Sequence, residues 1–258
     1  MQLSVVVPAH NEAVHLETHM AAFVETLPPD VTEVLREIII VENGSTDGTL
    51  GACHRLHERF PLLIRVHTIP RGSYGEAIKR GMLESRGTHI SILECDFLDS
   101  RFVSASLALF SASRAQFIVG SKRHRESVDR RPIKRRVLTA LYNFVFLRIM
   151  IGYSGTDTHG LKSIETPLAK KLCGLAMTSD EIFQTEIVLL AWRLGVKIEE
   201  LPVQILEMRN PSVTVLRRLP KVLNTVRDLR SSLARFPAQT AQAPNLPQES
   251  SPLSELIR

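Results

Sequence analysis

The chain has 258 residues, enough to bury a full core as one large α/β domain or as one domain with an appendage. Its apolar fraction of 44% and charged fraction of 23% are ordinary for a soluble globular protein, and the net charge of +5 favours an anionic partner. The three cysteines are odd in number and form no CxxC pair, which argues against a disulfide framework or a zinc site and favours a reducing cytosol.

Short β-branched runs alternate along the chain with amphipathic stretches of helical length. After a first strand around Val5–Val7, the predicted elements are a helix at Glu12–Thr26, a strand at Val34–Val41, a helix at Thr49–Phe60, a strand at Leu63–Thr68, a helix at Glu76–Glu84, a strand at His89–Leu93, a helix at Arg101–Ser113, a strand at Gln116–Val119, a helix at Glu181–Leu194 and a strand at Lys197–Pro202. This alternation predicts an α/β fold with a mostly parallel sheet and helices on both faces.

The composition changes at Lys122. Residues 122–136 are strongly basic, an apolar segment follows to about Tyr153, and residues 213–236 form a basic amphipathic segment. We predict a globular domain over 1–212, an amphipathic extension over 213–236 and a disordered tail over 237–258. The basic segments fit either an anionic membrane surface or the solvated faces of core helices.

The same stretches bear on location. The apolar segment is too short and too polar to span a bilayer, and the N-terminus lacks the layout of a signal peptide. We therefore expect a cytoplasmic protein, with peripheral contact at the inner face of the membrane as an open alternative.

Two of the β-branched runs end abruptly in polar, turn-forming residues. Val5–Val7 is followed by Pro8-Ala9-His10-Asn11-Glu12, and Ile38–Val41 by Glu42-Asn43-Gly44-Ser45-Thr46-Asp47. Such runs are typical of neighbouring parallel strands, whose carboxyl ends share the sheet edge at which open α/β folds bind ligands. Acid and amide groups at that edge together indicate a nucleotide-sugar site, although Asp47-Gly48 on its own is more typical of a tight turn.

A third polar sequence, Glu94-Cys95-Asp96, follows the strand predicted at His89–Leu93. Two carboxylates at a strand end are suited to Mg²⁺ or Mn²⁺, with water and phosphate oxygens as the other ligands, and the alternative is a solvated acid pair. Asp99 is either a further ligand or the N-cap of the next helix. Gly72 and Gly75 at a helix start suit phosphate, although the sequence matches neither a P-loop nor a full GxGxxG.

Taken together, these motifs resemble those of glycosyltransferase family 2, a family of inverting enzymes with the GT-A fold. Within that family, they are most similar to the motifs of the polyprenyl (dolichyl) phosphate sugar synthases. The similarity runs from Val5 to about Val215 and rests on the order and spacing of VVVPAHNE, IIIVENGSTDGT, RGSYGEAIKRG, ILECD, GSK, GTDTHGLKS and FQTEIVLLAWRLGVKIEELPV, with Arg209 beyond them. The resemblance implies a nucleoside diphosphate sugar as donor, Mg²⁺ or Mn²⁺ as cofactor, and polyprenyl phosphate as the favoured acceptor.

The resemblance also implies roles for residues on the donor side. Asn43 stands where the family has an Asp that reads the base, Glu94 and Asp96 replace the Asp-x-Asp metal motif, and Lys122 replaces an Arg that meets the diphosphate. The other donor-binding positions are Pro8, Ala9, Asn11 and Glu12, which would line the nucleotide pocket, and Ser45, Asp47, Arg71, Gly75, Lys79, Cys95, Arg136 and Glu186.

On the acceptor side, the chemistry depends on the nucleophile. A phosphate monoester is largely ionised at neutral pH, so it needs cations and no general base. The resemblance offers Arg135, Arg136 and Arg209 as those cations. It also implies that Asp157 positions the acceptor or a metal-bound water and that Lys162 meets phosphate.

Other readings stay open. A hydroxyl acceptor would need a general base, and Asp180 or Glu181 lies near the place where such relatives carry one, although both also fit a plain helix N-cap. A non-catalytic sugar-nucleotide-binding relative is a further alternative, against which Asp96 and the Asp47-Gly48 loop argue. Nucleic-acid binding is permitted by charge, but aromatic residues are only 5% and no recognition motif occurs.

Overall fold

A seven-stranded sheet with helices on both faces forms the body of the protein. The computed structural model describes residues 1–129, 148, 151–153, 155, 157–180, 182–205 and 229–236. In chain order the elements are β1 (Leu3–Ala9), α1 (Leu16–Glu25), α2 (Pro29–Val34), β2 (Leu35–Asn43), α3 (Thr49–Arg59), β3 (Ile64–Ile69), α4 (Tyr74–Glu84), β4 (His89–Ile92), α5 (Ser100–Ser111), β5 (Phe117–Ser121), β6 (Val128–Asp129), β7 (Lys162–Glu165), α6 (Thr166–Leu175), α7 (Phe183–Arg193), β8 (Ile198–Pro202) and β9 (Gln204–Ile205).

The strands follow the order β3-β2-β1-β4-β7-β5-β8, while β6 pairs with β9 in a separate ribbon. All pairs in the large sheet are parallel except those of β7, which runs antiparallel to both β4 and β5. Pro8 pairs with Val41 and Ala9 with Glu42, so the carboxyl ends of β1 and β2 lie side by side.

Both faces of the central strands are buried, which explains their continuous β-branched sequences. Val6 and Ile39 face the core formed with α4, α6 and α7. Val5 and Ile38 face the opposite core, formed with α1, α3 and α5. Full burial of each such side chain stabilises the fold by about 1.5–3 kcal/mol.

The predicted fold class is confirmed, with differences in detail. The sequence did not predict β7, because Lys162 and Ser163 are polar residues buried in mid-sheet and give no apolar alternation. The helices α2 and α6 were also missed. Helix α4 begins at Tyr74, before the predicted Glu76, since the Ser73 side chain caps it by accepting a hydrogen bond from the Glu76 N–H.

Near the C-terminus, residues 229–234 are helical and Leu229 and Leu233 are buried in the core that contains α7. Most of the predicted basic and apolar segments, and the tail, lie outside the described residues, so the three-part division of the chain stays a prediction. Within the described ranges, none of the helices combines the length and the apolar character needed to cross a bilayer.

Candidate active site

The loops after β1 and β2 are hydrogen-bonded to each other. The Asn11 N–H donates to Ser45 Oγ at 3.0 Å, and the Thr46 N–H donates to Asn11 Oδ1 at 2.9 Å. The Ala13 N–H donates to Asp47 Oδ2 at 3.2 Å. Three side chains that were predicted to bind the donor therefore also hold the two loops together. These bonds keep residues 11–13 out of the helix predicted from Glu12, and α1 begins only at Leu16.

Asp47 also organises the start of α3. Its Oδ1 accepts hydrogen bonds from both the N–H, at 2.9 Å, and the hydroxyl of Thr49. These hydrogen bonds lower the pKa of Asp47. The Thr49 hydroxyl in turn accepts the N–H of Glu12 at 2.8 Å. The tight-turn interpretation of Asp47-Gly48 thus describes its local contacts, while the loop still lies at the predicted sheet edge.

Asn43 connects this edge to the loop before α4. Its buried side chain accepts a hydrogen bond from the Ser73 N–H at 2.7 Å. Gly44 follows with φ of +60°, and a Cβ there would lie 2.9 Å from the Gly72 nitrogen. Only glycine avoids both strains.

Gly75 was predicted to lie at a phosphate-binding helix start, and the structure shows that it also has a packing role. A Cβ at Gly75 would lie 2.0 Å from the carbonyl oxygen of Asp180, so this glycine lets α4 approach the loop before α7. The Ser73 hydroxyl also donates to the carbonyl of Ser179. Arg71 is exposed at the same loop, whereas Lys79 lies further along α4 and acts electrostatically on Cys173.

The carboxylates of the predicted metal pair follow β4 in a tight turn, which the Phe97 N–H closes by donating to the Glu94 carbonyl at 2.9 Å. Asp96 is exposed at this turn and Glu94 is partly buried. The buried Cys95 thiol donates to the Pro8 carbonyl at 3.1 Å, which ties the turn to the end of β1. Asp99 is the N-cap of α5, since it accepts the N–H of Arg101 at 3.0 Å.

This donor set fits a hard divalent cation. In the part of the chain that the structure describes, no cluster of three or more His, Cys, Asp or Glu side chains forms a metal cage. Mg²⁺ is commonly held by one or two carboxylates together with water and substrate phosphates. Glu94 and Asp96 offer that arrangement, and phosphate oxygens of a nucleotide would complete it.

Behind Glu94 lies a buried polar network that sequence reasoning missed. The Tyr74 hydroxyl donates to Glu94 Oε1, and the side-chain amide of Gln184 donates to Tyr74. Lys162, with 0% exposure, donates to Gln184 Oε1 and to the Gly160 carbonyl at 2.9 Å. Burial lowers the pKa of Lys162 to about 7, although Asp157 and Glu94 oppose the shift. Burial likewise raises the pKa of Glu94, against the hydrogen bond from Tyr74.

Asp157 organises the segment that leads into β7. It is 2% exposed, and its Oδ1 accepts the N–H groups of Thr158 at 2.8 Å and His159 at 3.0 Å. Its Oδ2 accepts the N–H of Lys122 at 3.3 Å. The Lys122 side chain runs beside Gly160, and its charge favours the ionised form of Glu94.

Of the acids near α7, Asp180 accepts the Ile182 N–H at 3.0 Å, as a helix cap does. Glu186 has 0% exposure and faces the preceding loop, where it accepts the N–H groups of Met177 at 2.9 Å and Thr178 at 2.8 Å. Its contacts therefore hold the loop that precedes α7. Four predicted residues, Arg135, Arg136, Glu181 and Arg209, lie outside the described residues.

Comparison with known proteins agrees with this architecture. The profile of Glycosyl transferase family 2 matches residues 4–170. The chain is 29% identical over 223 residues to a dolichyl-phosphate beta-glucosyltransferase of Saccharomyces cerevisiae, covering 78% of this chain and 66% of the relative. It is 25% identical over 210 residues to the dolichyl-phosphate beta-glucosyltransferase ALG5A of Trichomonas vaginalis, and 26% identical over 205 residues to the glycosyltransferase AglD of Haloferax volcanii. These alignments cover 78% and 79% of this chain but only 65% and 33% of the two relatives.

Solved structures show the same fold. Glucosyl-3-phosphoglycerate synthase from Mycobacterium tuberculosis, in complex with UDP, superposes with a TM-score of 0.64 at 20% identity, over 90% of this chain and 80% of that one. The same enzyme with Mn²⁺, UDP-glucose and phosphoglyceric acid gives a TM-score of 0.63 at 21% identity, again over 90% and 80% of the two chains. The chain belongs to glycosyl transferase family 2 and has the GT-A fold.

Proposed function

We propose that this glycosyltransferase moves a sugar, with inversion at the anomeric carbon, from a nucleoside diphosphate sugar to polyprenyl phosphate, with Mg²⁺ or Mn²⁺. The relatives named dolichyl-phosphate beta-glucosyltransferase support the acceptor class. The structural neighbours crystallised with UDP and Mg²⁺ or Mn²⁺ support the donor and the cation. The chain spans about two thirds or less of the length of its first relatives, so activity and partners are inferences for this chain.

The observation that carries the acceptor class is the bonding of Asp157. Both of its carboxylate oxygens accept backbone N–H groups, which leaves this acid poorly suited to deprotonate a hydroxyl. Asp180 also accepts a backbone N–H. A phosphate monoester attacks as an anion and needs no base, so acids that serve as caps suit a phosphate acceptor.

The residues around the turn after β4 would divide the work on the donor. Asp96 and Glu94 would hold the cation, which supplies charge neutralisation for the departing nucleoside diphosphate. Lys122 would meet the diphosphate, and Asp157 holds the Lys122 backbone in position. The acceptor phosphate would be bound by Arg135, Arg136 and Arg209, whose guanidinium groups form single or bidentate hydrogen bonds with phosphate oxygens.

Because a polyprenyl chain resides in a bilayer, we also propose peripheral membrane contact through the basic segments 122–136 and 213–236. Attraction to anionic lipid weakens as salt is added, since the surface potential is screened. Co-sedimentation with anionic vesicles at low and high salt measures this directly.

The decisive assay is transfer of labelled sugar from GDP-, UDP- and TDP-sugars, with Mn²⁺, into polyprenyl phosphate. Organic-extractable product from one donor is the expected result. Donor hydrolysis without lipid product would move the acceptor to a hydroxyl, with Asp180 or Glu181 as the base. Neither product nor hydrolysis would leave a non-catalytic sugar-nucleotide-binding protein as the better description.

A further inference from the structure

Four side chains from different elements form one directed hydrogen-bond chain that ends on Glu94. Lys162 of β7 donates to Gln184 of α7, Gln184 donates to Tyr74 of α4, and Tyr74 donates to Glu94 after β4. Lys162 and Gln184 are at most 1% exposed. We refer to Gln184 and Tyr74, which link Lys162 to Glu94, as the relay.

The direction of the relay follows from donor and acceptor chemistry. Lys162 supplies N–H donors, so the amide oxygen of Gln184 faces it and the amide N–H₂ faces Tyr74. A tyrosine hydroxyl has a single proton. Because the Tyr74 oxygen already accepts from Gln184, that proton is directed at Glu94.

The relay restricts the side-chain rotation of Glu94. A glutamate carboxylate has one more rotatable bond than an aspartate carboxylate, so a ligand site built on it needs an additional constraint. The bond from Tyr74 holds Oε1 of Glu94, and among the described residues no hydrogen bond to Oε2 is seen that would compete with a ligand. Partners that orient a metal-binding carboxylate in this way commonly change metal affinity about 10- to 100-fold when they are lost.

We propose that Tyr74 and Gln184 are positioning residues that orient the Glu94 carboxylate toward the cation and the diphosphate of the donor. This inference rests on the proposed function, since it takes Glu94 as part of the donor site. It assigns to α7, the helix that also carries Glu186, a contribution to donor binding through Gln184.

Two substitutions test the relay from different directions. Tyr74→Phe removes the hydroxyl and preserves the ring. Gln184→Glu preserves size and contact with Lys162, but it removes the donor to Tyr74, so two carboxylates then compete for one hydroxyl proton. The matched control is Ser91→Ala, which breaks a different buried hydrogen bond, the one between the hydroxyls of Ser91 on β4 and Ser163 on β7, whose Oγ atoms lie 2.7 Å apart.

The measurement is calorimetric binding of UDP, GDP and TDP to the full chain, with Mn²⁺ and with EDTA, alongside thermal unfolding. For the nucleotide that the wild type binds best, both relay variants should lose about tenfold or more of the Mn²⁺-dependent affinity. Their affinity in EDTA should stay within about twofold of wild type, and Ser91→Ala should match wild type in both conditions.

The outcomes separate the relay from the proposed function. Unchanged Mn²⁺-dependent affinity in both relay variants, with a wild type that does respond to Mn²⁺, overturns the relay and leaves the proposed function standing. Equal losses with Mn²⁺ and with EDTA indicate general structural damage and also overturn it. A wild type that shows no Mn²⁺-dependent nucleotide binding contradicts the proposed function, and the relay fails with it.

Discussion

The hydroxyl of Ser232 donates a hydrogen bond to the carboxylate of Glu186, 46 residues earlier in the chain. The same carboxylate accepts the N–H groups of Met177 and Thr178. One buried acid therefore joins the C-terminal helical residues to the loop that leads to Asp180.

This relationship predicts a large effect on stability. Glu186→Gln would place amide N–H₂ donors against N–H donors, and we expect it to destabilise the fold by about 2–3 kcal/mol. Ser232→Ala removes one bond to a charged group and should lower the free energy of unfolding by about 1–2 kcal/mol. Urea denaturation measures both. The neighbouring Ser231 is exposed, so Ser231→Ala should be neutral, and a comparable loss there would contradict the assignment.

A substitution at Gly75 tests the close approach of α4 to the loop before α7. Gly75→Ala should destabilise the protein by about 1–3 kcal/mol, because its Cβ would collide with the Asp180 carbonyl. Gly174→Ala is the control, since its added Cβ would meet no atom of another described element within 4 Å. The control should be neutral or stabilising by up to about 1 kcal/mol. Similar chemical-denaturation midpoints for the two variants would rule out the collision.

The buried Lys162 predicts a pH dependence of stability. Its pKa is about 7 in the folded protein against an ordinary value of 10.5. Between these values the unfolded chain binds more protons, so stability rises with pH, by at most about 1.4 kcal/mol per pH unit. The free energy of unfolding of wild type relative to Lys162→Met should therefore increase from about pH 7 to about pH 9. A difference that is constant across this range would show that Lys162 does not titrate in this way.

The exposed position of Asp96 predicts a loss of function without a loss of fold. Asp96→Ala should abolish metal-dependent sugar transfer and metal-dependent nucleotide binding, because it removes a carboxylate that we propose as a metal ligand. Its melting temperature should stay close to that of wild type, since the side chain lies exposed at a turn. Retained turnover would remove Asp96 from the metal site.

Arg209 provides a test on the acceptor side. Arg209→Ala should raise the KM for polyprenyl phosphate at least about tenfold, because a charged group on a phosphate contributes more than about 1.4 kcal/mol. The KM for the nucleotide sugar should change little. Equal losses for both substrates would assign Arg209 to the donor.

The part of the fold that could be predicted follows directly from hydrophobic runs. The strands β1 and β2 are buried on both faces, and their β-branched sequences predict this burial. The strand β7 was not predicted because its buried side chains are polar. Ser163 is hydrogen-bonded to Ser91, and Lys162 is hydrogen-bonded to Gln184. Local sequence cannot show that such a segment lies in mid-sheet.

The site was predictable to a similar extent. The sheet edge and the turn with Glu94 and Asp96 followed from strand ends and acid spacing. The roles of Tyr74 and Gln184 could not be predicted in this way. A tyrosine beside glycine is typical of a turn, and a glutamine in an amphipathic helix is typically exposed to solvent. Their contacts span 20 and 110 residues, so only the folded chain brings them together.

The place of β7 also bears on how the chain assembles. The strands β3, β2, β1 and β4 all come from residues before 93, and in the described part of the chain β5 and β8 join them only through residues 162–165. On the ribosome, the outer edge of β4 therefore stays unpaired until that short segment has been synthesised. An open edge favours pairing with other chains, so we expect the interval before residue 162 emerges to carry a risk of aggregation.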